Sequence, residues 1–154
     1  MVAKKLKEFL DGKRIRYVTV SHSPAYTAQE VAASVHISGK EMAKTVVVKL
    51  DGKLALAVLP ATSRVDLNRL KAVSGAREAA IAGETEFKDA FPGCEVGAMP
   101  PFGNLYGMPV YVDDAIAADE EIGFNAGSHT EVIRMRYADF AALVQPKTGR
   151  LTGE

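Results

Sequence analysis

The clearest hydrophobic pattern in the chain is a pair of apolar runs separated by a turn. Residues 45–50 and 53–59 are rich in β-branched and aliphatic side chains, and Asp51-Gly52 between them is a strong hairpin signal. Pro60 ends the second run, because proline cannot donate a hydrogen bond to a ladder. The pattern therefore predicts a β-hairpin over residues 45–59.

Helices are predicted where apolar residues recur every three or four positions. Val2, Leu6, Phe9 and Leu10 share one helical face. Capping signals begin two further helices, Thr27 with Glu30 and Ser63 with Asp66, and the second of these ends at Gly75. Two more helices are predicted over residues 85–91 and 137–144.

Short strands are predicted between these helices, over residues 15–20, 110–112, 121–125 and 131–135. The acidic run at residues 113–121 is interpreted as a solvated loop or helix face, and the tail from Pro146 onward as frayed. Strands and helices mix without regular βαβ alternation. The expected fold is therefore one α+β domain over residues 1–154, with a curved mixed sheet flanked by helices.

Composition narrows the class of protein. The chain has 47% hydrophobic and 25% charged residues, typical of a soluble globular domain, and its 19 basic and 19 acidic side chains balance. This balance argues against a protein that coats nucleic acid by phosphate neutralisation alone, and no DNA partner is expected. Cys94 is the single cysteine, so no intrachain disulfide can form. No signal peptide and no apolar run of about 20 residues is present, so we expect a cytoplasmic protein without membrane contact.

Lys44 stands at the start of the first apolar strand and has two interpretations. Its stem can lie along the sheet with the amine in solvent, which is the commonest fate of such a lysine. Alternatively, the ammonium faces a cleft and binds a carbonyl oxygen or a phosphate. Position alone leaves both open.

A glycine- and proline-rich loop runs from Gly97 through Pro101 to Gly103. Adjacent prolines restrict such a loop, while glycines allow a ligand to approach the backbone closely. The loop can therefore aim N–H groups at a developing oxyanion, or it can be only a connection with difficult turn geometry.

Further polar candidates are Tyr26, Ser128 and His129. Tyr26 either plugs a helix start or lies at the rim of a cleft. Ser128 beside His129 is not a triad signature, so Ser128 is better interpreted as a pocket wall than as a nucleophile. His129 is either a proton shuttle or a surface histidine. The three histidines lack metal-ligand spacing, so no metal is expected.

Four motifs in this order resemble the YbaK/ProX family of aminoacyl-tRNA deacylases, which are related to the editing insertion of bacterial prolyl-tRNA synthetase. They are Ala25-Tyr-Thr-Ala-Gln-Glu30, Ala43-Lys-Thr-Val-Val47, Gly97-x-x-x-Pro101 and Asn125-Ala-Gly-Ser128. The resemblance covers about residues 18–144. It implies a partly closed mixed β-sheet with surrounding helices, in agreement with the α+β expectation.

The resemblance also implies an activity, namely hydrolysis of the ester that links a wrong amino acid to the 3′-terminal adenosine of tRNA. By this likeness Lys44 holds the 3′-end, the loop from Gly97 to Pro101 positions the ester carbonyl, and Tyr26 and Ser128 line the pocket. Thr45 and His129 are added as substrate-binding candidates. Because the ester is already activated, a positioned water and a stabilised oxyanion suffice, without metal or cofactor.

The leading hypothesis is a trans-acting deacylase of mischarged tRNA that serves translation fidelity. It binds the acceptor end, alone or with an aminoacyl-tRNA synthetase as partner. The alternative is a non-catalytic module that binds a tRNA end, a nucleotide or a synthetase in the same cleft. A small-molecule ester or amide hydrolase is the third hypothesis.

Overall fold

A computed structural model describes residues 3–23, 30–31, 33 and 41–153, and it confirms the α+β class. One sheet has three antiparallel strands in the order β1-β7-β6. These strands are β1 (Tyr17–Ser21), β6 (Glu121–Asn125) and β7 (Glu131–Arg136).

The second sheet has five strands in the order β4-β2-β3-β5-β8 and is mixed. Its strands are β2 (Ala43–Leu50), β3 (Lys53–Pro60), β4 (Ala79–Ile81), β5 (Val110–Asp113) and β8 (Lys147–Gly149). The β2–β3 hairpin confirms the strongest sequence signal, and β3, β5 and β8 pair in parallel. The sheet does not close into a barrel.

The helices are α1 (Lys4–Gly12), α2 (Leu67–Ser74), α3 (Glu84–Phe87), α4 (Asp114–Ala117) and α5 (Tyr137–Val144). In α2 the Asp66 carboxylate accepts hydrogen bonds from the N–H groups of Asn68 and Arg69. Asp66 is therefore the cap, and the predicted cap at Ser63 is wrong. Across the described residues, every helix falls short of the length and apolarity that a membrane crossing requires.

Among the described residues, a parallel bridge between Met42 and Gly123 joins the two sheets. It brings the start of β2 beside β6. Lys44 and Asn125 each lie two residues after the paired positions. Because side chains alternate along a strand, both project from the same side as the bridged pair.

The core is centred on Phe102, which is fully buried. Its ring centroid lies 6.2 Å from that of Phe9, 5.6 Å from that of Phe124 and 5.3 Å from that of Phe140. These three rings come from α1, β6 and α5. The loop that starts at Gly97 is thus anchored in the centre of the molecule through one aromatic side chain.

The prediction of a frayed tail is wrong for residues 147–152. β8 pairs with β5, Leu151 is fully buried, and Thr152 bridges to Val65. The Leu151 N–H donates to the carboxylate of Asp113 at 2.7 Å. Asp113 is itself buried, because its carboxylate has this partner and also accepts from Ala115 N–H, so its interpretation as a solvated residue is wrong as well.

We predict that Phe102→Ala lowers the free energy of unfolding by about 3–5 kcal/mol, because it removes a fully buried ring and leaves a cavity between three others. Val18→Ala is the control, since Val18 is 43% exposed and its truncation should cost less than about 0.5 kcal/mol. Urea unfolding of both variants measures the difference. Equal stability of the two variants would contradict the central position of Phe102.

Candidate active site

Lys44 lies in a cleft of about 590 Å³ where β2 meets the end of β6. The cleft combines a cation, a carboxylate, two imidazoles and small polar groups. Its lining consists of His22, Val31, Met42, Ala43, Lys44, Ala61, Glu95, Asn125, His129 and Thr130.

The Lys44 side chain is half-buried in this cleft. Val31 and Met42, which line the cleft, also pack against buried Val132 in a small apolar cluster. Burial lowers the pKa of the Lys44 ammonium, and the positive charge of Arg64 lowers it further. Lys44 therefore carries its charge in a partly desolvated position, where it attracts an anion more strongly than a fully solvated lysine does.

The opposite wall is formed by two loop segments joined through their backbones, residues 95–98 and 127–129. Glu95 N–H donates to the Gly127 carbonyl at 2.8 Å, and Gly127 N–H donates to the Ala98 carbonyl at 2.9 Å. The Glu95 carboxylate in turn accepts from the His129 N–H at 3.1 Å. These bonds hold the two segments in one fixed arrangement.

The His129 ring is fixed by the same loops. Its Nε2 lies 2.7 Å from the Val96 carbonyl, which can only accept, so Nε2 carries the proton. In the neutral ring Nδ1 is then left as an acceptor. Gly97 has φ +84°, and a Cβ at this position would lie 3.2 Å from His129 Cε1. Glycine suits position 97 for two reasons: it adopts the positive φ without strain, and its lack of a Cβ allows the backbone to pack closely on the imidazole.

Gly97 also carries a weakly bound donor. Its N–H donates to the sulfur of Met99 at 3.2 Å, and a thioether is a poor acceptor. A better acceptor can therefore replace the sulfur at this N–H at small cost, without movement of the Gly97 backbone. Pro101 is buried and is not part of the cleft lining.

Ser128 and Thr45 are absent from the lining of the cleft. Ser128 is buried, and its Oγ is 3.3 Å from Thr130 Oγ1 and 3.4 Å from Glu131 Oε1. Thr45 follows Lys44 on β2 and so projects to the other face of the sheet. Tyr26 and the Thr27 cap lie outside the described residues. The structure thus brings together Lys44 and His129, with Gly97 in contact with the latter.

Sequence reasoning missed Glu95 and Thr130, and it did not assign His22 to a site. Glu95 is an isolated carboxylate in an irregular segment, so no periodicity or motif marks it. His22 was considered only as a metal ligand. In the part of the chain that the structure describes, no cluster of three His, Cys, Asp or Glu residues could hold a metal ion.

A second cleft, of about 650 Å³, lies between the end of α2 and the segment around Tyr106 and Tyr111. Its charged lining residues are Asp51 and Lys53. The Asp51 carboxylate accepts hydrogen bonds from the backbone N–H groups of Arg77 and Glu78. We assign the chemistry to the Lys44 cleft, because the carboxylate of the second cleft is already occupied by turn hydrogen bonds.

Comparison with known proteins identifies relatives. The model of the aminoacyl-tRNA editing domain matches residues 22–143. The chain is 32% identical over 110 residues to the multifunctional Ser/Thr-tRNA deacylase ProXp-y of Escherichia coli K12, covering 68% of this chain and 65% of that relative. It is 30% identical over 90 residues to a proline–tRNA ligase of Bacillus mycoides, covering 58% of this chain and 16% of the ligase.

Solved structures share the fold. One described as a candidate trans-editing enzyme for prolyl tRNA synthetase superposes with a TM-score of 0.84, covering 99% of this chain and 97% of that one. The two sequences are 20% identical, so this likeness speaks for the fold alone.

We predict that Gly97→Ala destabilises the protein more than Gly93→Ala. Both glycines have φ near +80°, so the backbone strain of about 1–2 kcal/mol is the same. A Cβ at Gly93 would meet nothing within 4 Å, whereas one at Gly97 would press on the His129 ring. Urea unfolding measures the difference, and the His129 ring signals in NMR spectra should shift only in Gly97→Ala. Identical behaviour of the two variants would refute the contact.

Proposed function

Because this chain belongs to the aminoacyl-tRNA editing domain family, we propose that it is a trans-acting aminoacyl-tRNA deacylase. It hydrolyses the ester between a wrong amino acid and the 3′-terminal adenosine of tRNA. The observation that carries this proposal is the half-buried Lys44 in one cleft with Glu95 and His129, where Gly97 packs against the His129 ring. The names of the relatives make seryl- and threonyl-tRNA, and mischarged tRNA for proline, the first substrates to test.

Lys44 is proposed to hold a phosphate of the tRNA 3′-end. An ammonium is a compact point charge with three donors, which suits a phosphate oxygen. The cleft around it contains apolar side chains, so the interaction is screened less than on an open surface. In this role Lys44 anchors the substrate and is not a nucleophile.

Gly97 is proposed to stabilise the oxyanion. Its N–H now points at the Met99 sulfur, and the developing negative oxygen of a tetrahedral intermediate is a far stronger acceptor. The fixed loop pair around Gly97 supports this role, because preorganised donors need no rearrangement during the reaction. Pro101 restricts the same loop and is proposed to act through its shape.

The attacking water is proposed to lie among Asn125, Thr130 and the free acceptor of His129, all of which line the cleft. Attack by water on the ester carbon forms the C–O bond, and collapse expels the ribose oxygen, which takes up a proton. Ser128 is proposed to position Thr130 through its hydroxyl. Tyr26 remains a proposed contact for the amino acid or the terminal nucleoside, whereas Thr45 projects to the other face of β2 and is no longer proposed as a substrate contact.

We predict that Lys44→Ala slows deacylation about 10- to 150-fold, which corresponds to one charge-assisted hydrogen bond of about 1.5–3 kcal/mol. Lys49→Ala is the matched control on the same strand, since the Lys49 amine pairs with Glu86 at 3.0 Å and is absent from the cleft lining. The measurement is release of amino acid from a panel of mischarged tRNAs. Lys49→Ala should stay within about twofold of the unaltered protein.

Two results would overturn parts of this proposal. Equal turnover by Lys44→Ala and the unaltered protein would remove the assigned role of Lys44. Saturable tRNA binding that depends on Lys44, without hydrolysis of any mischarged tRNA, would instead identify a non-catalytic binding module.

The lowered pKa of Lys44 predicts how tRNA affinity depends on pH. Only the protonated amine attracts phosphate, so affinity is full below the Lys44 pKa and falls as pH rises through it. This loss should begin below the ordinary lysine value of about 10.4. Lys44→Arg should flatten the alkaline decrease, because guanidinium stays protonated. Binding of uncharged tRNA from about pH 7 to 10 measures both, and matching pH profiles would refute the assignment.

A further inference from the structure

The Lys44 cleft is the first of three neighbouring cavities along the segment that follows β3. Ala61 lines the cleft itself. The next cavity, of about 310 Å³, is lined by Pro60, Thr62, Ser63, Ala115 and Asp119. The third, of about 550 Å³, is lined by Thr62, Ser63, Arg64, Val65, Asp66 and Gly153. Residues 60–66 therefore form a wall that leads from Ala61 in the Lys44 cleft to two further cavities, which share Thr62 and Ser63.

A positive charge lies at each side of this wall: Lys44 in the cleft beside Ala61, and Arg64 in the third cavity. Arg64 is exposed, and neither it nor Lys44 forms an ion pair with an acidic side chain among the described residues. Asp66 lies beside Arg64, but its carboxylate accepts from two backbone N–H groups of α2 and lies 4.0 Å from Arg69. Two cations that repel each other, neither of them held in an ion pair, are both stabilised when an anion binds beside them.

The wall is held rigidly in place. Ala61 N–H donates to the Met42 carbonyl at 2.8 Å, which fixes its start beside the sheet junction. Ser63 N–H donates to the Pro60 carbonyl at 2.9 Å, and Asp66 N–H donates to the Leu151 carbonyl at 2.7 Å. Arg64 therefore projects from a turn that is fixed at both ends. Little conformational entropy is lost when a ligand binds there, because the backbone of this turn is already ordered.

The middle cavity has a different character. Burial, with the nearby charge of Glu41, raises the pKa of Asp119 there, and one Asp119 oxygen is buried without a hydrogen-bond partner. A carboxylate repels phosphate and accepts hydrogen bonds, so this cavity suits a ribose hydroxyl or an exocyclic amino group. The hydroxyls of Thr62 and Ser63 line the same space. Lys44, Asp119 and Arg64 thus follow one another as cation, hydrogen-bond acceptor and cation. A single RNA strand offers the matching groups in the same order, namely a phosphate, a nucleoside and the next phosphate.

We propose that residues 62–64 form a second contact for the unpaired acceptor end of tRNA, with Arg64 binding a backbone phosphate other than the one held by Lys44. This inference rests on the proposed function and extends it from the terminal ester to the preceding nucleotides. Arg64 is a binding residue and takes no part in the ester chemistry.

The test compares Arg64→Ala with Arg69→Ala. Both variants remove one arginine charge from the same region, but Arg69 is held beside Asp66 on α2 and does not line the wall. We expect Arg64→Ala to weaken binding of uncharged tRNA about tenfold and to raise KM for mischarged tRNA more than it lowers kcat. The slope of log K against log salt should fall by about 0.7, the value for one phosphate on a single strand. Arg69→Ala should change affinity less than twofold.

Two readouts keep the outcome decisive. Arg64→Lys should restore much of the affinity, because it keeps the charge. In Arg64→Ala the Lys44 pKa, followed by NMR of its side chain, should rise because one repelling charge is gone.

Suppose that the unaltered protein hydrolyses mischarged tRNA, but Arg64→Ala has the same tRNA affinity and salt slope as Arg69→Ala. This result would overturn the inference about Arg64 and leave the proposed function intact. An unaltered protein that neither binds nor hydrolyses tRNA would overturn the proposed function with it. A Lys44 pKa that does not rise in Arg64→Ala would contradict the placing of Arg64 close to Lys44, on which this inference rests.

Discussion

The cleft depends on the parallel bridge between Met42 and Gly123. This contact is the point at which the three-stranded and five-stranded sheets meet through backbone pairing. Without it, Lys44 on β2 and Asn125 on β6 would belong to separate surfaces. Ala61, which extends the wall towards Arg64, is bonded to the carbonyl of the same Met42. One bridged pair therefore sets the spacing between the lysine, the polar loop and the positive turn.

A neutral protein can still bind a polyanion when its charges are arranged locally. Lys44 and Arg64 lie on one side of the site, whereas Glu95 lies on the loop side and is engaged by the His129 backbone. The summed charge is zero, so long-range attraction of tRNA is weak. In the proposed function, selectivity for an acceptor end comes from short-range contacts inside the cavities, which salt screens less than exposed charges.

Local signals were enough to predict the main elements of the fold. The Asp51-Gly52 hairpin and the α2 helix ending at Gly75 each have a strong pattern within a few residues, and both are present. β8 was not predicted, because Lys147–Gly149 has no apolar alternation and its partner lies on distant β5. The buried Asp113 was misread for the same reason, since its partner Leu151 is 38 residues away.

The motifs of the candidate site could be recognised in the sequence, but the way the fold assembles them could not. Lys44 and His129 lie in segments with recognisable composition, and the structure brings both into one cleft. Glu95 reaches the site only through a tertiary hydrogen bond to the His129 backbone, which no local pattern encodes. The burial of Ser128 likewise follows from packing, because a small polar residue in a loop carries no signal of which way it faces.

The pairing of β1 with β7 has a consequence for how the chain acquires its site. Tyr17 pairs with Met135 and Ser21 with Glu131. β1 therefore stays unpaired until β7, more than a hundred residues later in the chain, has been synthesised. Contacts of such sequence separation close slowly, because loop-closure entropy is lost before they form. During synthesis, β6 also lacks its neighbour until β7 emerges. The cleft is therefore completed only after β7 has been synthesised, and until then the chain exposes β1 as an open edge.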